Sequence, residues 1–105
     1  MKTIYIAGKV TGVPVEQRTA KFQAAETMLQ KRGFETVNPI KLVEDPNTDW
    51  QTAMDICFIA LAKCNSIYML PCSVDSPGAK LELEFALLKN MDVYYELENV
   101  EYVTD

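Results

Sequence analysis

The fold is decided by Ser66-Ile67-Tyr68-Met69-Leu70-Pro71-Cys72-Ser73-Val74-Asp75-Ser76-Pro77-Gly78-Ala79-Lys80-Leu81-Glu82-Leu83-Glu84-Phe85-Ala86. Its apolar opening, Ser66 to Leu70, reads as a buried strand. A helix follows. Asp75 or Ser76 suits its N-cap, and Pro77 suits its first position. Gly78 lets a ligand come close to the backbone. Glu82 falls in the second turn, on the face shared with Ala79 and Ala86. These small neighbours leave that face open to something other than bulky core side chains. The positive end of the helix is expected to keep Glu82 ionised. A turn between strand and helix lies at the carboxyl end of an open α/β sheet, where ligands bind. A carboxylate there serves as nucleophile or general acid/base. The plainer alternative is a solvated glutamate paired with a lysine.

Upstream, Thr3 to Ala7 reads as a first strand, and Gly8-Lys9-Val10-Thr11-Gly12 as a loop whose amides could cradle an anion or a sugar. A plain turn between strand and helix fits it equally well. The loop lacks the third glycine of the dinucleotide fingerprint and the Lys-Ser/Thr ending of a P-loop. Val15 to about Arg32 predicts an amphipathic helix with Phe22, Ala25, Met28 and Leu29 inward, closed by Gly33. Glu16, Arg18, Lys21 and Gln30 form its solvated face. Phe34 to Val37 is a second strand. Asn38 ends it, either as a turn residue or as a group aimed at the ligand. Lys41 to Asn47 is a polar loop, with room for a helical turn, placed to act as a lid.

Thr48 to Gln51 matches a capping box, from which a helix runs to about Lys63. Asp55 is the only charge inside that apolar segment, so it needs water, a partner or a polar cavity. The helix is apolar on more than one side and is expected to meet both the sheet and another subunit. The helix after Ser76 runs to about Asn90. Asp92 to Tyr95 is a fourth strand, and Val100 to Val103 offers an edge strand. Alternating strands and helices imply one domain over residues 1–105. It is a three-layer open parallel sheet of four or five strands in the order 2-1-3-4, flavodoxin-like or Rossmann-like, with helices on both faces.

Composition narrows the chemistry. The net charge of −5 shows no basic stripe and argues against a nucleic-acid polymer. With no histidine, Ser-His-Asp and Cys-His catalysis are excluded. Three cysteines, Cys57, Cys64 and Cys72, lack CxxC spacing and argue against a disulfide framework or a zinc site. They read as core or loop residues. No metal and no cofactor are expected. No stretch reaches transmembrane length, and the first residues are strand-like rather than a leader, so a cytoplasmic protein with no membrane partner is expected.

Taken together, Ile4 to Gly12, Gly33 to Pro39, Trp50 with Met54-Asp55-Ile56, Cys64 to Pro71 and Ser76 to Ala86 resemble the nucleoside 2-deoxyribosyltransferase-like superfamily, in its small bacterial and phage branch. The resemblance implies a glutamate nucleophile, Glu82, attacking C1′ of a 2′-deoxynucleoside. It implies Tyr5 as the group that orients it and Asp55 as the acid/base for the leaving base. It also implies a dimer or tetramer. The aspartate usual six residues before the nucleophile is Ser76 here, with Asp75 one residue earlier, and the glycine usual two residues after it is Glu84. A related group hydrolyses deoxynucleoside 5′-monophosphates and holds the phosphate in the loop after the first strand. That makes Gly8, Lys9, Thr11 and Gly12 candidate contacts beside Asn38, Asp75, Ser76 and Gly78. The expected function is cleavage or transfer of the N-glycosidic bond of a small nucleoside or nucleotide. The rival is a non-catalytic nucleotide-binding or regulatory module on the same fold.

Overall fold

The strand Thr3–Ala7 (β1) is flanked on both sides, and Ile4, Tyr5, Ile6 and Ala7 are all buried. Its side chains alternate between the two faces of the sheet, as the period of two requires. Ile4 and Ile6 pack with Phe22, Ala25 and Leu29. Tyr5 and Ala7 face the opposite layer with Cys57, Leu61, Ala79 and Ala86. Both faces of β1 are therefore core, which explains a run without polar interruption.

The structure, a computed structural model, describes residues 2–95. Within them β1 pairs in parallel with β2 (Glu35–Val37) and β3 (Ser66–Met69), and β3 pairs in parallel with β4 (Asp92–Tyr94). The order is β2-β1-β3-β4, as expected, with Tyr5 opposite Val37 on one side and Ile67 on the other. Helix α1 (Val15–Lys31) covers one face; α3 (Trp50–Leu61) and α4 (Pro77–Leu88) cover the other. A short helix, α2 (Pro39–Leu42), follows β2, and a 3-10 turn, Pro71–Asp75, follows β3. The result is a three-layer Rossmann-like fold.

Local signals set the element ends. Gly33, at φ +93°, closes α1: its N–H bonds Gln30 O at 3.0 Å and the Phe34 N–H bonds Leu29 O at 3.3 Å. These two bonds satisfy carbonyls that the helix end leaves open. The cap of α3 is Asp49 rather than Thr48. The Asp49 carboxylate accepts from Thr52 N and Thr52 Oγ1, both at 2.8 Å. Thr48 instead donates through N and Oγ1 to Asp45 O, closing a turn. A carboxylate suits the positive end of a helix better than a hydroxyl already engaged elsewhere. Helix α3 stops at Leu61 and α4 at Leu88, each two residues short of expectation. The expected edge strand Val100 to Val103 lies outside the described residues.

Candidate functional site

Three connections converge at the carboxyl ends of β1, β2 and β3, and the site is built there. Ser76 fixes the start of α4: its Oγ accepts from Ala79 N at 3.1 Å, with Pro77 at the first helical position. That start sets the phase of the helix, so Ala79, Glu82 and Ala86 all lie buried against the sheet. The Tyr5 hydroxyl, rising from β1, donates to Glu82 Oε2. Glu82 is 5% exposed, so it is not a solvated helix residue.

Burial pushes the Glu82 carboxyl up to about 7, although the Tyr5 hydrogen bond works to lower it. The Tyr5 hydroxyl is raised well above its ordinary 10.0, first by burial and then by the charge of Glu82. Burial thus opposes the help that the positive helix end was expected to give the ionised form of Glu82. The field of a helix end fades within its first turn, whereas desolvation acts wherever the carboxyl is buried.

Above this pair opens a cavity of about 400 Å³, within the range of small-ligand sites. Tyr5, Cys57 and Glu82 form its inner end. Val10, Thr11 and Gly12 with Val15 and Arg18 form one wall. Pro39, Ile40, Val43, Glu44, Asp45 and Pro46 form another, so the expected lid segment is a wall carrying one short helix. Trp50, Ala53 and Met54 of α3 line it with Ser76 and Gly78 of α4. Gly12, at φ +81°, occupies the third place of a turn closed by Val13 N to Val10 O at 3.2 Å, a conformation that favours glycine. Gly8 serves packing as well: a Cβ there would lie 2.8 Å from Leu70 Cδ1.

Tyr5, Gly8, Thr11, Gly12, Ser76, Gly78 and Glu82, all candidates from the sequence, line this cavity. Four other candidates do not. Asp55 is exposed and accepts from Gln51 Nε2 at 2.9 Å. Trp50, Ala53, Met54 and Cys57 follow the spacing of one helix face, and Asp55 falls off that face into water. Lys9 donates its backbone N–H to Cys72 Sγ at 3.3 Å, so that amide is not open to an anion. Asn38 is a capping residue: its Oδ1 accepts from Ile40 N at 3.0 Å. Asp75 is exposed at the end of the 3-10 turn.

Some contributors were not anticipated. Arg18, read as solvated, is half-buried at the cavity wall, where Nη1 donates to Val10 O at 3.0 Å. Trp50, Met54 and Cys57 were legible as a helical stripe, since they recur at intervals of four and three. Glu26 supports the site from behind. It is buried in α1, forms an ion pair with Lys41 Nζ at 2.5 Å and accepts from Thr36 Oγ1 at 2.6 Å and Asn38 Nδ2 at 3.4 Å. Burial works to raise the Glu26 carboxyl, but bonds from Lys41, Thr36 and Asn38 outweigh it and hold the group below its ordinary value. This cluster ties β2 and α2 to α1 and so fixes the cavity wall. Among the described residues no group of three or more His, Cys, Asp or Glu is placed to hold a metal ion.

The fold is that of an open α/β protein with a cavity at the switch point of its parallel sheet. The chain belongs to the family described as Domain of unknown function (DUF4406), which it matches over residues 2–95. A comparison with curated proteins gives no match. Among the described residues no helix is long and apolar enough to cross a membrane.

Proposed function

We propose that the chain cleaves or transfers the N-glycosidic bond of a small (deoxy)nucleoside or nucleoside 5′-monophosphate, with Glu82 as nucleophile. The observation that carries this reading is the buried Tyr5–Glu82 pair at the inner end of the cavity. Tyr5 engages Oε2, which leaves Oε1 to attack C1′. The C1′–O bond forms as the C1′–N bond breaks. The bonding electrons depart with the base, which takes up a proton from water. An acceptor base or water then breaks the glycosyl–enzyme bond and frees Glu82. A desolvated carboxylate opposite a developing oxocarbenium ion stabilises it more than a solvated one would. Thr11 and Arg18 line the cavity beside the loop after β1, the loop in which the related hydrolases hold a 5′-phosphate.

The position of Asp55 favours a second reading. With that carboxyl in solvent, the cavity lacks the acid the resemblance assigned to the leaving base. This suits a nucleotide-binding or regulatory module without turnover. Free-base release, followed by liquid chromatography from a panel of deoxynucleosides and their 5′-monophosphates, separates the two. Release with wild type that is lost in Glu82→Ala supports the enzyme, and its dependence on an acceptor base separates transfer from hydrolysis. No release from a folded protein whose melting temperature still rises with ligand supports the module.

Ile56 and Ile59 of α3 are exposed apolar residues and support assembly into a homo-oligomer. Light scattering on the eluting protein tests this, and a monomer mass would count against it. The three cysteines are unpaired with one another, which fits a reducing cytoplasmic setting.

A further inference from the structure

Trp50 is the only tryptophan of the chain, and it stands at the cavity with 46% of its surface exposed. The indole is not consumed by core packing. It lies in the first turn of α3, beside the first turn of α4: a Cβ built on Gly78 would be 3.7 Å from Trp50 Nε1 and 3.0 Å from Met54 Sδ. Gly78 and Glu82 are four residues apart on α4, and both line the cavity, so they share one helix face. The Cα atoms of Gly78 and Glu82 are about 6 Å apart along α4, four residues of helical rise, and helical side chains lean toward the N-terminus, so the indole and the Glu82 carboxylate line neighbouring parts of one cavity. A group bonded directly to the carbon under attack by Glu82 would come within reach of that indole.

From this arrangement we propose that Trp50 is the stacking platform for the planar base of the substrate. The proposal rests on the glycosidic reading of the same cavity and adds the element that recognises the leaving group. An aromatic face accepts any flat heteroaromatic ring, because each presents a π-surface. The site consequently selects for an aromatic leaving group and discriminates weakly between purines and pyrimidines. Sulfur of Met54 beside the indole lets that wall adjust to rings of different size.

The single tryptophan gives a direct readout. Intrinsic fluorescence is titrated with 2′-deoxyadenosine and thymidine as ring-bearing probes and 2-deoxyribose as the ring-free control. Saturable quenching by both nucleosides, with none by the sugar, is the expected result. Calorimetry with 2′-deoxyadenosine should show affinity reduced about tenfold in Trp50→Ala, the usual worth of one base stacked on an aromatic ring. Trp50→Phe should recover most of that loss. In the release assay Trp50→Ala should raise KM about tenfold with a much smaller change in kcat, since the contact is made in both ground and transition states. Because the indole is half exposed, both variants should fold, and melting curves verify this. Base release without quenching, and indifferent to Trp50→Ala, overturns the platform and leaves the glycosidic reading standing. Saturable quenching without release keeps the platform and overturns the glycosidic reading. Neither quenching nor release overturns both.

Discussion

The Tyr5 hydroxyl donates to Glu82 Oε2 across 77 positions of sequence, from the central strand to the helix that follows its neighbour. The bond holds the one carboxyl at the inner end of the cavity against the sheet. It also opposes the effect of burial on that carboxyl. Replacing Tyr5 by Phe removes the donor while keeping the ring. The Glu82 carboxyl should then move further above about 7. Turnover at neutral pH should fall about 100- to 1,000-fold, the scale of removing one preorganised hydrogen-bond donor. The rising limb of the pH–rate profile should shift to higher pH, which a purely structural loss would not produce.

Activity and stability should respond to pH in opposite directions. Nucleophilic attack needs the carboxylate, so kcat/KM should climb as pH passes through about 7 and level off above it. For stability the sign reverses. The folded carboxyl is raised from 4.5 to about 7, so between those values the folded state holds a proton the unfolded chain has released. Its contribution is full below 4.5 and is lost as pH rises through about 7. Thermal melting across that window should show wild type losing stability relative to Glu82→Gln. Parallel curves for the two proteins would contradict the assignment.

Asp55 supplies a test of the site as one chain builds it. It is exposed and bonded to Gln51. Asp55→Asn should change base release by less than about threefold and stability by less than about 0.5 kcal/mol, as surface substitutions do. A loss of several orders in kcat would instead place Asp55 at a site completed by a second copy.

Two glycines should behave differently although both line the cavity. In Gly8→Ala the new methyl would meet Leu70 Cδ1 at 2.8 Å and Phe22 Cζ at 3.1 Å, inside the packed layer under α1. Chemical denaturation should show a loss of about 1–3 kcal/mol, the scale of overpacking a core. In Gly78→Ala the nearest atom is Met54 Sδ at 3.0 Å, on an unbranched side chain able to move. Stability should change by less than about 1 kcal/mol, while KM rises because Met54 is displaced into the cavity.

Glu26 should matter for the cavity wall without touching the ligand. Glu26→Ala leaves Thr36 and Asn38 without their buried acceptor and frees Lys41. Denaturation should register a loss of about 1–3 kcal/mol, limited because Lys41 remains in water. The carboxyl is held below its ordinary value, so its contribution is present above pH 4.5 and is lost as pH falls through the folded value. Wild type and Glu26→Gln should therefore converge in stability in acid.

Local chemistry written in the chain determined most of the architecture. Continuous apolar runs at Thr3–Ala7 and Ser66–Met69 specify strands buried on both faces, and Gly33, Ser76 and Pro77 set helix ends through their own backbone preferences. The alternation of elements then leaves few parallel topologies, and the observed order is the one expected. Glu82, Gly12 and Gly78 were legible near the cavity because the strand order brings the carboxyl ends of β1 and β3 together, whereas Tyr5 came only from the resemblance. Tertiary structure decided what depends on phase and depth. The rotation of α3 sent Asp55 to water and Trp50, Met54 and Cys57 to the cavity, a choice set by how the helix packs on the sheet. The depth of Glu82 decided its protonation, because desolvation depends on every atom that displaces water and not on the residues beside it in sequence. The Glu26 cluster joins α1, β2 and α2, and only the folded chain brings those donors to one carboxylate.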